Sequence, residues 1–108
     1  MYFKYLKERE GYDVFEEEGV GFFTYKFLED TKVYIRDVFI AEEFRGSTRE
    51  GVHFYQKFEK FLKEKGAYTL YGSAVPSLDC TRSMAAMIKM GYKINNCTDD
   101  FISLIKEI

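Results

Sequence analysis

The sequence predicts an α/β domain in which helices pack on a single mixed β-sheet. Three patterns indicate this class. A run of β-branched and aromatic residues at 33–40 is typical of a strand, and after a polar loop at 41–51 apolar side chains recur at helical spacing as far as Gly66. Two strand-like segments precede this unit with only short turns between them. Another strand-like segment follows the helix, and a helical crossover makes it parallel to the strand at 33–40.

The composition indicates one globular domain, residues 1–108. Of the 108 residues 46% are hydrophobic, and the presence of 11 Phe and 9 Tyr without Trp means that large rings supply much of the core. The formal net charge of −2 argues against a nucleic-acid partner, which requires a basic surface. Because no apolar run reaches the length of a membrane span and no secretory signal opens the sequence, we expect a cytoplasmic protein without a membrane partner.

The segment before the central unit should form a short helix and three strands. Apolar residues stand at positions 2, 3, 5 and 6 and charged residues at positions 4 and 7–10, which predicts a helix ending at Gly11, although an edge strand also fits its first residues. Short turns then join the segments 12–17, 20–28 and 33–40, so these three strands should form an antiparallel meander.

The segment after the central helix should complete the sheet. We predict a strand, a second helix and a closing pair of strands at 67–75, 80–90, 92–95 and 101–105. Met84, Met87 and Met90 stand at helical spacing in the second helix, and methionines in such a pattern usually fill gaps in a core. Gly91 should end that helix.

The loop between the central strand and its helix is a candidate anion site. It contains Arg45, Gly46, Ser47, Thr48, Arg49, Glu50 and Gly51. The first amides of a helix have no partner within the helix, and its dipole favours negative charge at that end. The spacing by itself is not specific, because every strand–loop–helix unit has such an end.

The residues around this loop carry a resemblance to a known family. The run Phe39-Ile40-Ala41-Glu42-Glu43-Phe44-Arg45-Gly46-Ser47 resembles the signature of the GCN5-related N-acetyltransferases (GNAT): a hydrophobic strand, an acidic link, an aromatic residue and Arg-Gly. The order of elements from about residue 12 to 105 also matches that family. The chain departs from the pattern at Thr48 and Glu50, where the family has small residues, and at its shortened front.

The resemblance implies a GNAT-like fold, N-terminally shortened, with acetyl-coenzyme A (acetyl-CoA) as cosubstrate. It implies that two strands splay apart and that the pantetheine arm pairs with backbone groups between them. It further implies that the loop amides hold the pyrophosphate, with Arg45 and Arg49 adding positive charge. The cofactor-binding residues expected in this way are Phe39, Ile40, Ala41, Arg45, Gly46, Ser47, Thr48, Arg49, Glu50, Gly51 and Ser83.

The implied reaction is attack of a primary amine on a thioester. By position in the family, the Ile40 amide is the candidate donor to the carbonyl oxygen, and Asp37 is the candidate to accept the proton of the amine through water. Asp37 alternatively positions the acceptor. Met87 occupies the position of the family's usual proton-donating tyrosine, so Cys80, Ser83, Tyr71 or water would have to protonate the thiolate.

Two functional hypotheses follow. One is an N-acetyltransferase acting on a primary amine of a protein or small molecule, and acidic residues such as Glu42 and Glu43 near the mouth would suit a cationic acceptor. The other is a catalytically degenerate module that binds a partner protein. One form of this hypothesis has the module encoded by a phage or mobile element. Exposed strand edges would allow a homodimer.

The two cysteines and the single histidine follow no metal-ligand pattern. Cys80, Cys97 and His53 lack the spacing of a zinc site, so no metal is expected. We expect both cysteines to be reduced and packed as small hydrophobic residues.

Overall fold

The computed structural model describes residues 1–46, 48–74 and 81–108, without the side chains of residues 81–83. Its helices are α1 (Tyr2–Glu10), α2 (Arg49–Glu64) and α3 (Thr81–Lys89), with a short 3-10 helix at Glu42–Phe44. Its strands are β1 (Asp13–Glu17), β2 (Gly21–Glu29), β3 (Lys32–Ile40), β4 (Thr69–Ala74), β5 (Lys93–Cys97) and β6 (Ile102–Glu107). The predicted order of elements is confirmed, and residues 2–10 form the helix rather than the edge strand.

The strands form one mixed sheet in the order β1-β2-β3-β4-β6-β5. Only β3 and β4 are parallel, and every other neighbouring pair is antiparallel. The parallel pair is the one joined through α2, because a helical crossover returns the chain in the same direction. The predicted meander and the predicted parallel pair are both confirmed.

An aromatic core joins α2 to one face of the sheet. Phe23 of β2 stacks on Phe58 of α2 with ring centroids 4.1 Å apart, and Phe15 of β1 lies 5.9 Å from Phe54. These rings face each other because α2 presents an apolar residue every three or four positions. Leu62, also on α2, is fully buried beside them.

The hydroxyl groups of this core are paired rather than left bare. Tyr55 of α2 donates a hydrogen bond of 2.9 Å to the Tyr92 hydroxyl. Burial raises the pKa of both phenols, because an ionised oxygen there would lose its hydration. Beside them, Lys106 Nζ lies 2.7 Å from a carboxylate oxygen of Glu59.

Helix α1 covers the opposite face of the sheet. The Phe3 ring meets the Phe22 ring edge-to-face at 4.8 Å, and Leu6 is 1% exposed. Phe22 and Phe23 are neighbours on β2, so their side chains point to opposite faces. Helices α1 and α2 therefore sandwich β2.

The methionine prediction is confirmed for Met87 and Met90, and the cysteine prediction is wrong for Cys97. Met87 and Met90 pack against the core, as the helical spacing predicted. Cys97 is exposed on β5, because β5 is an outer strand whose five residues all face solvent. Cys80 lies outside the described residues.

Among the described residues, no helix is both long enough and apolar enough to span a membrane.

Candidate functional site

The parallel strands β3 and β4 pair over only part of their length. Their register joins Lys32 to Thr69, Val33 to Leu70 and Tyr34 to Tyr71, and then the pairing stops. Strand β3 continues to Ile40, whereas β4 continues to Ala74 in contact with β6 alone. The sheet therefore opens into a cleft between the carboxyl ends of the two strands, as the resemblance implied.

The backbone of β3 presents only alternate residues to this cleft. The Ala41 amide donates a 2.7 Å hydrogen bond to the Val20 carbonyl oxygen, so residue 41 faces the β2 side. The carbonyl oxygen of Ile40 faces the other way, since it accepts a 2.7 Å bond from Arg45 Nε. Because the pairing of antiparallel strands alternates, Val38 and Ile40 direct their backbone groups into the cleft.

This alternation corrects two of the sequence-based expectations. The Ala41 amide is already bonded within the protein, and Phe39 shares its direction toward β2. Neither residue can therefore pair with a ligand in the cleft through that amide. Val38 takes their place, and its strand position was the only signal that could have identified it.

A β-bulge at Arg36 determines where Asp37 points. Thr24 of β2 pairs with Asp37, but the next residue, Tyr25, pairs with Ile35, so Arg36 is the extra residue. Without that insertion, Asp37 would face the buried side with Ile35. Arg36 and Asp37 instead both face the side of α1.

Two hydroxyl groups hold the Asp37 carboxylate. Its Oδ2 atom accepts hydrogen bonds from Tyr2 of α1 at 2.7 Å and from Thr24 at 2.6 Å. Arg36 Nε lies 3.9 Å from the same oxygen, and Nη1 of Arg36 forms an ion pair with Glu10 at the end of α1. The bond that Tyr2 donates to Asp37 raises the pKa of the Tyr2 phenol, since ionisation would break it.

The loop after β3 is shorter than the sequence predicted, and more of its backbone groups are hydrogen-bonded within the protein. Helix α2 begins at Arg49 rather than after Gly51, because the Thr48 hydroxyl caps it by accepting from the Gly51 amide at 3.1 Å. The same hydroxyl donates to the Phe44 carbonyl oxygen. Gly51 fits only as glycine, since a Cβ there would lie 2.3 Å from that oxygen.

The loop amides divide into bonded and unbonded groups. The Arg45 amide donates to the Glu42 carbonyl oxygen and the Gly51 amide to Thr48, so neither is available to an anion. The amides of Gly46, Arg49 and Glu50 donate to no other residue in the part of the chain that the structure describes. Ser47 lies outside that part. The unbonded amides leave the first turn of α2 able to accept an anion.

The two arginines of the loop are placed differently. Arg45 bends back over β3, with its guanidinium carbon 5.5 Å from the centre of the Phe39 ring as well as its bond to Ile40. The family resemblance predicted that Arg45 adds positive charge at the pyrophosphate, whereas its Nε is bonded to the Ile40 carbonyl oxygen. Arg49 and Glu50 are exposed and contact no charged group among the described residues.

The candidate proton donors either lie at the base of the cleft or fall outside the residues that the structure describes. Met87 is packed in the core and carries no exchangeable proton. Tyr71 is half-buried at the last paired position of β3 and β4. The Tyr34 hydroxyl and Ser73 Oγ lie 2.9 Å apart close by. Cys80 and the side chain of Ser83 lie outside the described residues.

Two surface depressions lie at opposite ends of β2 and β3. One of about 290 Å³ lies at the carboxyl end of β3, on the side of β1 and β2, and is walled by acidic and aromatic residues that include Glu16, Phe22 and Phe39. The larger, about 590 Å³, is lined by Phe27, Leu28, Glu29, Asp30 and Lys65. The larger depression lies away from the unpaired edge of β3 and the first turn of α2, so its size does not make it the better candidate.

Comparison with known proteins gives structural likeness only. No protein-family model matches the chain, and no curated protein matches it significantly. A GNAT family acetyltransferase from Elizabethkingia anophelis with acetyl-CoA bound is similar in structure, with a TM-score of 0.71 and 19% identity over 97% of this chain and 80% of that one.

Two archaeal structures are also similar. Ard1 from Thermoplasma volcanium has a TM-score of 0.67 and 18% identity, and it matches 82% of this chain. The PaiA N-acetyltransferase from Thermoplasma acidophilum, in complex with coenzyme A, has a TM-score of 0.67 and 16% identity over 82% of this chain. This chain spans 63% of the first and 54% of the second, less than two thirds of either.

Proposed function

The chain has the fold of the GCN5-related N-acetyltransferases, and from that premise we propose that it is an acetyl-CoA-dependent N-acetyltransferase acting on a primary amine. The amine belongs to a protein or a small molecule, and the proposed compartment is the cytoplasm. The observation that carries the proposal is the opening between β3 and β4, which leaves β3 with an unpaired edge beyond Tyr34. An unpaired strand edge can bond an extended ligand through its backbone.

The residues present suit a thioester with a diphosphate arm. The edge of β3 offers the backbone groups of Val38 and the amide of Ile40 to an extended chain, and the unbonded amides of Gly46, Arg49 and Glu50 offer hydrogen bonds to an anion. When bound, acetyl-CoA supplies an acyl group on a good leaving sulfur. The protein then has to position that group, remove a proton from the amine and stabilise the charge that develops on the carbonyl oxygen.

Each of these tasks has a candidate group on β3 or on its neighbour β4. The Ile40 amide faces the cleft and is placed to donate to an oxygen on which negative charge develops. Asp37 stands on the same strand with its carboxylate held by Tyr2 and Thr24, and it is the candidate to accept the proton of the amine. Tyr71 or water is the candidate to protonate the sulfur, since Met87 cannot.

The proposal is tested first by binding. Titration of acetyl-CoA in a thermal-shift assay should raise the melting temperature, since a ligand that binds only the folded state stabilises it. Arg45→Ala should reduce that rise because it removes a positive charge beside the loop. Arg9→Ala, an equal loss of charge on the distant α1, is the matched control and should leave the rise unchanged. No rise at millimolar acetyl-CoA would contradict the proposal.

Two observations favour the second candidate, a degenerate module that binds a partner protein. Met87 replaces a proton donor, and the Ile40 carbonyl oxygen, which faces the cleft, is already occupied by Arg45. If acetyl-CoA binds but no acetyl group is transferred to butylamine, spermidine or a lysine peptide, this second function is the better account.

A homodimer is a further proposal, and analytical ultracentrifugation tests it.

A further inference from the structure

Apart from tyrosines, Thr24 is the one residue with a polar side chain that is buried in the described part of the chain. It is 1% exposed, and a buried hydroxyl is unfavourable unless it is hydrogen-bonded. Its hydroxyl donates to Asp37 Oδ2 at 2.6 Å and accepts from the Asp37 amide at 3.0 Å. Both bonds of the buried hydroxyl therefore go to one residue, and it forms no hydrogen bond to any other residue that the structure describes.

The β-bulge at Arg36 also determines the position of Asp37. An inserted residue interrupts the ladder between β2 and β3, and such interruptions often re-aim a side chain. Here the insertion turns Asp37 away from the core and toward α1. Tyr2, at the first position of α1, then reaches the carboxylate with its hydroxyl.

All the described contacts of the Asp37 carboxylate involve one oxygen. Tyr2, Thr24 and Arg36 are all within reach of Oδ2, and no described group bonds Oδ1. A carboxylate fixed in this way cannot exchange its two oxygens by rotation without losing two charge-assisted hydrogen bonds. Oδ2 is therefore held by hydrogen bonds, whereas the lone pairs of Oδ1 accept no hydrogen bond from a described residue.

We propose that Tyr2 and Thr24 are positioning residues that hold Asp37 Oδ2, so that Oδ1 is the atom that accepts a proton from the amine. This role rests on the proposed function. The ammonium loses one proton through water to Oδ1, and solvent later removes it. The nitrogen lone pair forms the bond to the acetyl carbon, and the carbon–sulfur bond breaks. The sulfur takes a proton from Tyr71 or water, and that group takes the second proton of the nitrogen in its place. The products are the amide, the free thiol and one proton.

The contact is tested without any activity measurement. Tyrosine labelled with ¹³C at Cζ gives one resonance per ring, and the resonance missing from Tyr2→Phe identifies Tyr2. In Asp37→Asn the phenol of Tyr2 should ionise at lower pH than in the wild type, because the negative charge and the charge-assisted hydrogen bond that raise its pKa are gone. An unchanged Tyr2 titration would overturn the contact and therefore the proposal.

The role is tested by kinetics with butylamine, spermidine or a lysine peptide as acceptor, whichever is acetylated. Tyr2→Phe keeps the ring but removes the donor, and we expect kcat to fall about tenfold with the KM for acetyl-CoA unchanged. Tyr5→Phe is the matched control, since Tyr5 is an exposed tyrosine on the same helix with no hydrogen bond from its hydroxyl to a described residue. Thr24→Ser should retain most of kcat, and Thr24→Val should lose it by about the same factor as Tyr2→Phe.

The outcomes separate the two proposals. Equal kcat values for Tyr2→Phe and Tyr5→Phe in an active enzyme would overturn the positioning role and leave the acetyltransferase standing. A wild-type protein that binds acetyl-CoA but acetylates none of these amines would overturn the acetyltransferase and the role together. A normal kcat in Thr24→Val would exclude Thr24 from the positioning role but would leave the role of Tyr2 standing.

Discussion

The two halves of β3 differ in what surrounds them. Lys32, Val33 and Tyr34 are paired with β2 on one side and β4 on the other, and Val33 is fully buried. Beyond Arg36 the strand is paired with β2 alone, and Val38 and Phe39 are 58% and 46% exposed. The bulge at Arg36 separates a half that holds the core together from a half that leaves backbone groups open to a ligand.

The buried side should carry most of the stability. Phe58→Ala removes a ring that stacks on Phe23, and we expect the free energy of unfolding to fall by about 3–5 kcal/mol. Val38→Ala, at the open end of β3, should lower it by less than about 1 kcal/mol. Urea denaturation measures both, and equal losses would contradict the contrast in stability between the buried core beside the first half of β3 and the open end of that strand.

The open end should carry the chemistry. Asp37→Asn keeps the size of the side chain but removes the negative charge, and we expect kcat to fall about a hundredfold or more. Asp30→Asn, in the turn at the opposite end of β3, should change kcat little. Steady-state rates with the acceptor that the wild type uses make the comparison, and equal rates in the two variants would remove Asp37 from the mechanism.

The tyrosine pair in the core should make stability depend on alkaline pH. Burial raises the pKa of Tyr55 and Tyr92 in the folded protein, so above about pH 10 the unfolded chain releases protons that the fold retains. Their contribution is complete below pH 10 and is lost as the pH rises through the range between the unfolded and folded values.

The expected loss is about 1.4 kcal/mol per pH unit for each tyrosine that stays neutral in the fold. Tyr55→Phe should make the decline of the unfolding free energy shallower by about that amount between pH 10 and 11. Urea denaturation at several pH values measures the slope. A parallel decline in the variant and the wild type would show that Tyr55 ionises as readily in the fold as in the unfolded chain.

The smallest effect should come from the loop. Glu50 is exposed at the first turn of α2, where its carboxylate competes with a bound anion, so Glu50→Gln should tighten acetyl-CoA binding about threefold. Glu64→Gln, at the far end of the same helix, is the matched control. Calorimetric titration at low salt measures both, and weaker binding in Glu50→Gln would mean that the loop lies elsewhere relative to the phosphates.

Much of the fold could be predicted because its signals are local. Phe54, Phe58 and Leu62 recur at helical spacing, and the short turns between the first three strands restrict them to a meander. The start of α2 could also have been predicted, since a threonine directly before the helical pattern is a common cap. Thr48 was instead predicted to lie in the loop, so the predicted start of α2 was too late.

The geometry of the site depended on contacts that a local pattern does not contain. Tyr2 and Asp37 stand 35 positions apart, and their hydrogen bond requires α1 to lie on the face to which the bulge turns Asp37. The direction of the Ile40 and Ala41 backbone likewise follows from the register with β2. Asp37 and Ile40 could be nominated from the family resemblance, but the groups that hold them could not.

The central claim is that the open half of β3 and the first turn of α2 form one binding cleft. The most direct test is a titration of ¹⁵N-labelled protein with acetyl-CoA, followed through the backbone amide resonances. We predict that the largest shifts occur at Ile40, Gly46, Arg49 and Glu50, whose amides are unbonded or face the cleft. Shifts confined to Phe27, Leu28, Glu29 and Asp30 at the other end of the sheet, or no shifts at all, would contradict it.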